Sequence, residues 1–359
     1  MSLNGNYKKY SLQFKFTVGT SRGFLQNKNS YIISVWDDKN PAIRGIGESG
    51  PFPKLSLDDR PDLENAIQEA LLKLQSYSVP DNVNDIFEIT NTIVNREFPS
   101  LRFGLETSLL DLYRGGRKIL FPNNFTKGLE AIPINGLIWM GNPEFMLKQV
   151  KDKVKEGFRC LKIKIGALDF DKECEILDVI RNDYSPEDIE LRVDANGAFS
   201  PDKALYKLKV LSAFNIHSIE QPVMPGQKDL LRALCHESPI PIALDEELIG
   251  IFGQQQKTEH LCYIKPAFII LKPTLLGGFE EIMSWIEIAE KLNIGWWVTS
   301  ALESNIGLNA ISQFAANYVL KLPQGLGTGQ LYHNNFNSPL TVAKGELKYD
   351  IDKEWKINI

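Results

Sequence analysis

The chain has 359 residues, 43% of them hydrophobic and 24% charged. That composition excludes a disordered, collagen-like or coiled-coil chain and is enough for two domains, or for one large barrel with an attachment. A net charge of −5 argues against a surface built to hold nucleic acid or anionic lipid.

The first third reads as mixed strand and helix. Residues 7–17 alternate polar and apolar, and a Gly-Thr-Ser-Arg-Gly turn at 19–23 leads into Tyr31-Ile-Ile-Ser-Val-Trp36. A period of two and a short connection predict an antiparallel pair. Residues 61–74 and 98–112 carry apolar side chains at helical spacing. The breaker-rich Phe121-Pro122-Asn123-Asn124 is the candidate boundary.

From about residue 132 the texture changes. Short apolar strands are predicted at 132–137, 160–165, 189–194, 216–220, 242–245, 268–272 and 295–299, with a weaker closing strand near Gly325. Their interiors are apolar nearly throughout, as for parallel strands covered on both faces. Helical segments such as 143–155 and 279–292 fill the gaps. About eight strands in roughly 200 residues favour an α/β fold of the (β/α) TIM-barrel type, modified to seven or eight strands, over a doubly wound sheet. Residues 340–349 alternate again and are candidates to pair with the first domain. The predicted organisation is an α+β capping domain over 1–122, a barrel over 123–328, and a segment over 329–359 that returns to the cap.

Targeting and redox signals are weak. No stretch reaches the roughly 18 uncharged apolar residues of a membrane span. The N-terminal sequence lacks the apolar core of a signal peptide, so a cytoplasmic location is expected, without membrane or nucleic-acid partners. Cys160, Cys174, Cys235 and Cys262 form no Cys-x-x-Cys pair and are expected to be buried thiols. Gly45-Ile-Gly47-Glu-Ser-Gly50 matches a dinucleotide fingerprint by letter, but Pro51-Phe-Pro53 follows it where a helix is needed. The four histidines show no metal-binding spacing, and His217 reads as a satisfied core residue.

Chemistry is concentrated at the strand ends. Lys162 and Lys164, Asp194, Glu220, Asp245 and Lys272 close five successive predicted strands, at intervals of 25–30 residues. A lone strand-end aspartate is usually a helix cap; an ionisable group on five successive units is a pattern. In a closed barrel these side chains share one mouth, where active sites sit. Three converging carboxylates repel unless a cation joins them. Hard oxygen donors without His or Cys suit Mg²⁺. Lys162 and Lys164 share a strand face, and like charge with desolvation should lower a lysine pKa toward the range of a base.

These residues resemble the enolase superfamily, and within it the muconate-lactonising branch that contains the o-succinylbenzoate synthases. The matching pieces are Lys162-Ile-Lys164, Asp194-Ala-Asn196-Gly-Ala-Phe199, Ile219-Glu220-Gln221-Pro222, Leu244-Asp245-Glu246 and Ile270-Leu271-Lys272-Pro273. Gly45-Ile-Gly-Glu-Ser-Gly-Pro51 and Leu105-Glu-Thr-Ser-Leu-Leu-Asp111 look like the family's capping-domain and linker signatures. The resemblance implies that Asp194, Glu220 and Asp245 ligate one Mg²⁺, with Mn²⁺ a possible substitute. It implies that Lys164 abstracts a proton α to a carboxylate, giving an enediolate that the metal stabilises. Lys272 would face it as a second cation, or as an acid/base in racemising relatives, and Lys162 would tune Lys164. Arg192 and Asn196 are candidates to organise the metal shell or substrate, and Glu246 to pair with Lys272.

The implied mouth, with one divalent ion and three charged lysines, carries a net +2 and suits a small dicarboxylate. The resemblance points to 2-succinyl-6-hydroxy-2,4-cyclohexadiene-1-carboxylate, dehydrated by syn elimination to 2-succinylbenzoate in menaquinone biosynthesis. Dipeptide epimerases of the branch carry Asp-x-Asp near the last strand; here that region reads Gly325-Leu-Gly-Thr-Gly-Gln330. Pro133-Ile-Asn135-Gly-Leu137, Ser300-Ala-Leu-Glu303-Ser304-Asn-Ile-Gly307 and the glycine-rich segment look like o-succinylbenzoate synthase text, which would set Ser300 and Gly325 near a substrate carboxylate. N-succinylamino acid racemases share much of this text and remain the alternative, with a non-catalytic barrel homologue more remote. The Gly19–Gly23 turn is a candidate lid.

Overall fold

The computed structural model describes residues 2–20 and 23–357. Strands β1 (Leu3–Thr20), β2 (Gly23–Asp37) and β3 (Gly45–Ser49) form an antiparallel sheet in that order. Helices α1 (Leu63–Leu74), α2 (Val83–Ile93) and α3 (Pro99–Tyr113) follow. In α1 the buried side chains are Leu63, Ile67, Ala70, Leu71 and Leu74, one stripe at helical spacing. Helix α2 lies outside the helical segments expected from apolar spacing, although Asn82 and Asp85 form a capping box at its start.

β3 lies directly on α3. A Cβ on Gly47 would come within 2.0 Å of the Gly104 carbonyl oxygen, and one on Gly45 within 2.0 Å of that of Ser108. The glycines that mimic a nucleotide motif therefore serve close backbone approach.

The barrel is a seven-stranded parallel sheet in sequential order: β5 (Gly136–Ile138), β6 (Cys160–Lys164), β7 (Glu190–Asp194), β8 (Ser218–Glu220), β9 (Ile242–Leu244), β10 (Phe268–Leu271) and β11 (Gly295–Val298). Between them run α4 (Pro143–Lys155), α5 (Phe170–Asp183), α6 (Ala204–Leu211), α7 (Lys228–Glu237), α8 (Gln254–Ile264), α9 (Pro273–Leu276) and α10 (Phe279–Lys291), and α11 (Asn305–Ala315) follows β11. The expected closing strand is reduced to two parallel bridges, Ile134 with Gln324 and Thr299 with Gly325.

The strand expected over 132–137 is split. Its first half, β4 (Ile132–Pro133), leaves the barrel and pairs with the C-terminal hairpin of β12 (Leu340–Ala343) and β13 (Glu346–Tyr349). The chain just before that hairpin lies on the cap: Lys15 N donates to Leu331 O and His333 N to Gln13 O, both at 2.9 Å. All four cysteines are free thiols, but only Cys160 is buried as expected; Cys174 and Cys235 are half-buried and Cys262 is exposed. Among the described residues no helix is long and apolar enough to cross a membrane.

Glu106 joins the two parts of the fold. It is fully buried on α3, and its carboxylate accepts from the Phe279 amide at the start of α10. Burial pushes its pKa up to about 8, against the pull of Arg102. A carboxyl whose pKa is raised on folding binds protons preferentially in the native state. Its stabilising contribution is thus complete below pH 4.5 and lost as pH rises toward 8, by on the order of 1 kcal/mol per pH unit. We expect Glu106→Gln to flatten the decline in stability between pH 5 and 8 in denaturant titrations; an unchanged slope would refute this assignment.

Candidate active site

The parallel register lines up the strand ends. Lys164 pairs with Asp194 across β6 and β7, and Asp194 with Glu220 across β7 and β8. Asp245 and Lys272 are the first residues beyond β9 and β10. All six charged side chains meet in one mouth as an alternating chain of ion pairs. Lys164 Nζ lies 2.5 Å from Asp194, and Lys162 Nζ 3.1 Å from Asp194 and 2.9 Å from Glu220. Lys272 Nζ lies 3.8 Å from Glu220 and is hydrogen-bonded to Asp245.

All but Lys164 are buried, so each charge depends on its neighbours. Burial would depress the Lys162 pKa, but Glu220 and Asp194 outweigh it and hold the ammonium well above its usual range. Mutual lowering within the Lys162–Lys164 pair is therefore not what governs Lys162: its Nζ is wedged between two carboxylates. Lys272 is raised in the same way, burial being overcome by Asp245 and Glu220. Glu220 is pushed up to about 8 by burial and by the Asp194 carboxylate. Asp194, equally buried, is held far below the usual carboxylate range by Lys164 and Lys162.

Neighbouring side chains orient this set. Asn196, in a left-handed backbone conformation (φ 44°), accepts from Lys164 Nζ at 2.7 Å and donates to Glu246 at 2.9 Å. Gln221, next to Glu220, is uncharged, and the charge pattern gives no sign of its role. Its side-chain oxygen accepts from the Asp245 and Glu247 amides at 3.2 Å, which fixes the turn carrying Asp245. Arg192 lies one step down β7, stacked 4.4 Å from Trp297 and bonded to Glu190 and the Pro323 carbonyl, away from the mouth. Ser300 and Gly325 line the cavity with Thr299, and a Cβ on Gly325 would fall 2.5 Å from Thr299 Oγ1.

A cavity of about 470 Å³ includes Lys162, Lys164 and Lys272 in its lining and extends to Phe158 and Lys344 at the other end of the strands. Phe16, Phe52 and Leu55 of the cap close it opposite Trp139, Leu275 and Leu302 of the barrel. Sequence reasoning missed this apolar roof, whose only local signal is aromatic text beside the glycine-rich motif. The proposed lid contains residues 21 and 22, which lie outside the described residues.

Three carboxylates on adjacent strand ends, with no softer donor, fit a hard divalent cation in their chemistry. Among the described residues no three His, Cys, Asp or Glu side chains converge as a metal-ligand set. Instead the ammonium groups of Lys162 and Lys272 lie between carboxylates. Holding a cation on all three would mean exchanging carboxylate contacts of Lys162, Lys164 and Lys272 for the ion.

A parallel barrel with lysines facing each other across carboxylates, under an N-terminal cap, defines a recognisable class. The sequence matches the family described as enolase C-terminal domain-like over residues 146–350, and the chain belongs to the enolase superfamily. It is 46% identical to the o-succinylbenzoate synthase of Desulfotalea psychrophila, across 95% of this chain and 98% of that one. The crystal structure of MenC from the same organism superposes with a TM-score of 0.88 at 43% identity, covering 97% of this chain and 100% of that chain. A dipeptide epimerase from Enterococcus faecalis, crystallised with Mg and a dipeptide, has the same fold: TM-score 0.81, 22% identity and 97% coverage of both chains.

Asn196→Gly tests the orienting contacts, because glycine tolerates the left-handed backbone while removing the amide that holds Lys164. We expect about a 10–100-fold loss of kcat with little change in Tm. Turnover within twofold of the parent would show that Asn196 does not align the lysine.

Proposed function

We propose that this chain is an o-succinylbenzoate synthase, dehydrating 2-succinyl-6-hydroxy-2,4-cyclohexadiene-1-carboxylate to 2-succinylbenzoate. The observation that carries the reading is the 46% identity to the Desulfotalea psychrophila enzyme over nearly the whole of both chains. The cavity agrees with it. Its apolar side chains suit a six-membered ring, and its three lysines, paired with three carboxylates, would carry a net positive charge toward two substrate carboxylates once a divalent ion is bound.

Lys164 is positioned to take the proton α to the ring carboxylate, its Nζ held by Asp194 and Asn196. The electron pair of that C–H bond moves into the ring as the 6-hydroxyl leaves. The same ammonium, on the same face, returns its proton to the departing oxygen, so water is released and the ring becomes aromatic. Lys272 stands opposite as a second cation, balancing charge that develops on the carboxylate. Asp194, Glu220 and Asp245 would hold Mg²⁺, which when bound supplies further positive charge against that carboxylate. Near the last strand the segment Gly325-Leu326-Gly327 offers no carboxylate to grip a substrate ammonium, which disfavours dipeptide epimerisation. The alternative is racemisation of N-succinylamino acids.

Two outcomes test this directly. Mixing the enzyme, Mg²⁺ and the cyclohexadiene should produce the ultraviolet absorbance of an aromatic product, and Lys164→Ala should abolish it while circular dichroism stays native. Near-parental turnover in that variant would remove Lys164 as the base. A chelator should silence the parent enzyme, and Mg²⁺ or Mn²⁺ should restore it; full activity in metal-free buffer would sink the cation requirement. A side-by-side panel with N-succinylamino acids separates dehydration from racemisation.

A further inference from the structure

The turn that follows β11 is built around a buried carboxylate with no part in the chain of ion pairs. Glu303 is fully buried. Its Oε2 accepts from Ser300 Oγ at 2.5 Å, and both its oxygens accept from the Ala301 amide, at 3.0 and 2.9 Å. Its Oε1 also accepts from Thr274 Oγ1. Thr274 stands two residues beyond Lys272, so one carboxylate ties together the ends of β10 and β11.

The turn itself is strained and braced. Leu302 adopts φ 62°, a left-handed conformation that a branched side chain resists, and the buried Tyr332 hydroxyl holds its carbonyl at 2.7 Å. Ser300 Oγ donates to Glu303 and accepts from the Leu302 amide at 3.0 Å and Thr328 Oγ1 at 2.9 Å. A hydroxyl has one proton and two lone pairs, so these three bonds exhaust it. Ser300 therefore shapes the cavity wall rather than offering a free hydroxyl to a ligand. From the cap, Lys28 is fully buried and donates to the Gly50 carbonyl at 2.9 Å; burial lowers its pKa against the pull of Glu48, Glu303 and Asp58. Glu48 is occupied at the start of α11, accepting from the Ser304 and Gly307 amides at 3.0 Å.

We propose that Glu303 is a positioning residue for the reaction: it straps the Ser300–Leu302 wall of the cavity to the segment carrying Lys272. This rests on the proposed dehydration. The strap fixes the distance between the wall against which the substrate lies and the lysine on its far side. Losing it loosens the geometry of the transition state more than it weakens binding.

The test is a kinetic double-mutant cycle with Glu303→Gln and Thr274→Val, measured beside Tm. We expect about a tenfold fall in kcat for Glu303→Gln and a smaller fall for Thr274→Val, with KM changed by less than about threefold. The double variant should be no slower than Glu303→Gln alone, because both substitutions cut the same strap. Losses that multiply, or parental kcat with only a lowered Tm, would overturn the proposal. If Glu303→Gln does not fold, Thr274→Val decides: a kcat loss at constant KM supports the strap, and parental kcat refutes it. A parent enzyme silent on the cyclohexadiene overturns the dehydration reading and this proposal together; an active parent with indifferent variants overturns this proposal alone.

Discussion

The structure depends on an alternating run of buried charges: Lys164, Asp194, Lys162, Glu220, Lys272 and Asp245. Taking any one of them out of water alone is costly enough that it would neutralise instead. In alternation each lysine is sheltered by a carboxylate, and each carboxylate by at least one lysine. The opposite pKa directions of Asp194 and Glu220, two equally buried acids on adjacent strands, show how finely position decides the outcome. Asp194 has two lysines at 2.5 and 3.1 Å, whereas Glu220 shares Lys162 with it and lies 3.8 Å from Lys272. Strand register makes this arrangement possible, because a shift by one residue would turn every one of these side chains outward.

Around that run the fold supplies two separate services. The barrel fixes charge through backbone ladders and through side chains such as Asn196 and Gln221. The cap supplies apolar cover through Phe16, Phe52 and Leu55. The cap is held by groups that cross the boundary: Glu48 on α11, Glu106 on α10, and the β1 contacts of residues 331 and 333. Cover and charge thus come from different stretches of the chain, joined by buried polar bonds.

The sequence made the charge pattern legible because its spacing is that of the βα unit, a local property repeated five times. The short apolar parallel strands and the helices of the barrel were readable for the same reason. Less local features were not. Nothing in Ile132–Pro133 says that its partner is a hairpin more than two hundred residues away, and the single bridges at Gln324 and Gly325 leave little periodic trace. Helix α2 is the exception among local features, because its capping box of Asn82 and Asp85 is visible in the sequence. Glu303 stood in view within a quoted motif, but its importance lies in Thr274 and Ser300, which meet it only after two strands have aligned.

The way the ring of strands closes has a mechanical consequence. All six charges sit on the continuous run from β6 to β10, where neighbouring strands share ladders. The discontinuity between β11 and β5, spanned by isolated bridges and glycines, falls elsewhere on the circumference. The closing segment is still tied on both sides, Gln324 N to Pro133 O at 2.8 Å and Gly325 N to Val298 O at 2.9 Å. The spacing of the reactive groups is therefore set by the uninterrupted ladder and not by the seam where the ring closes.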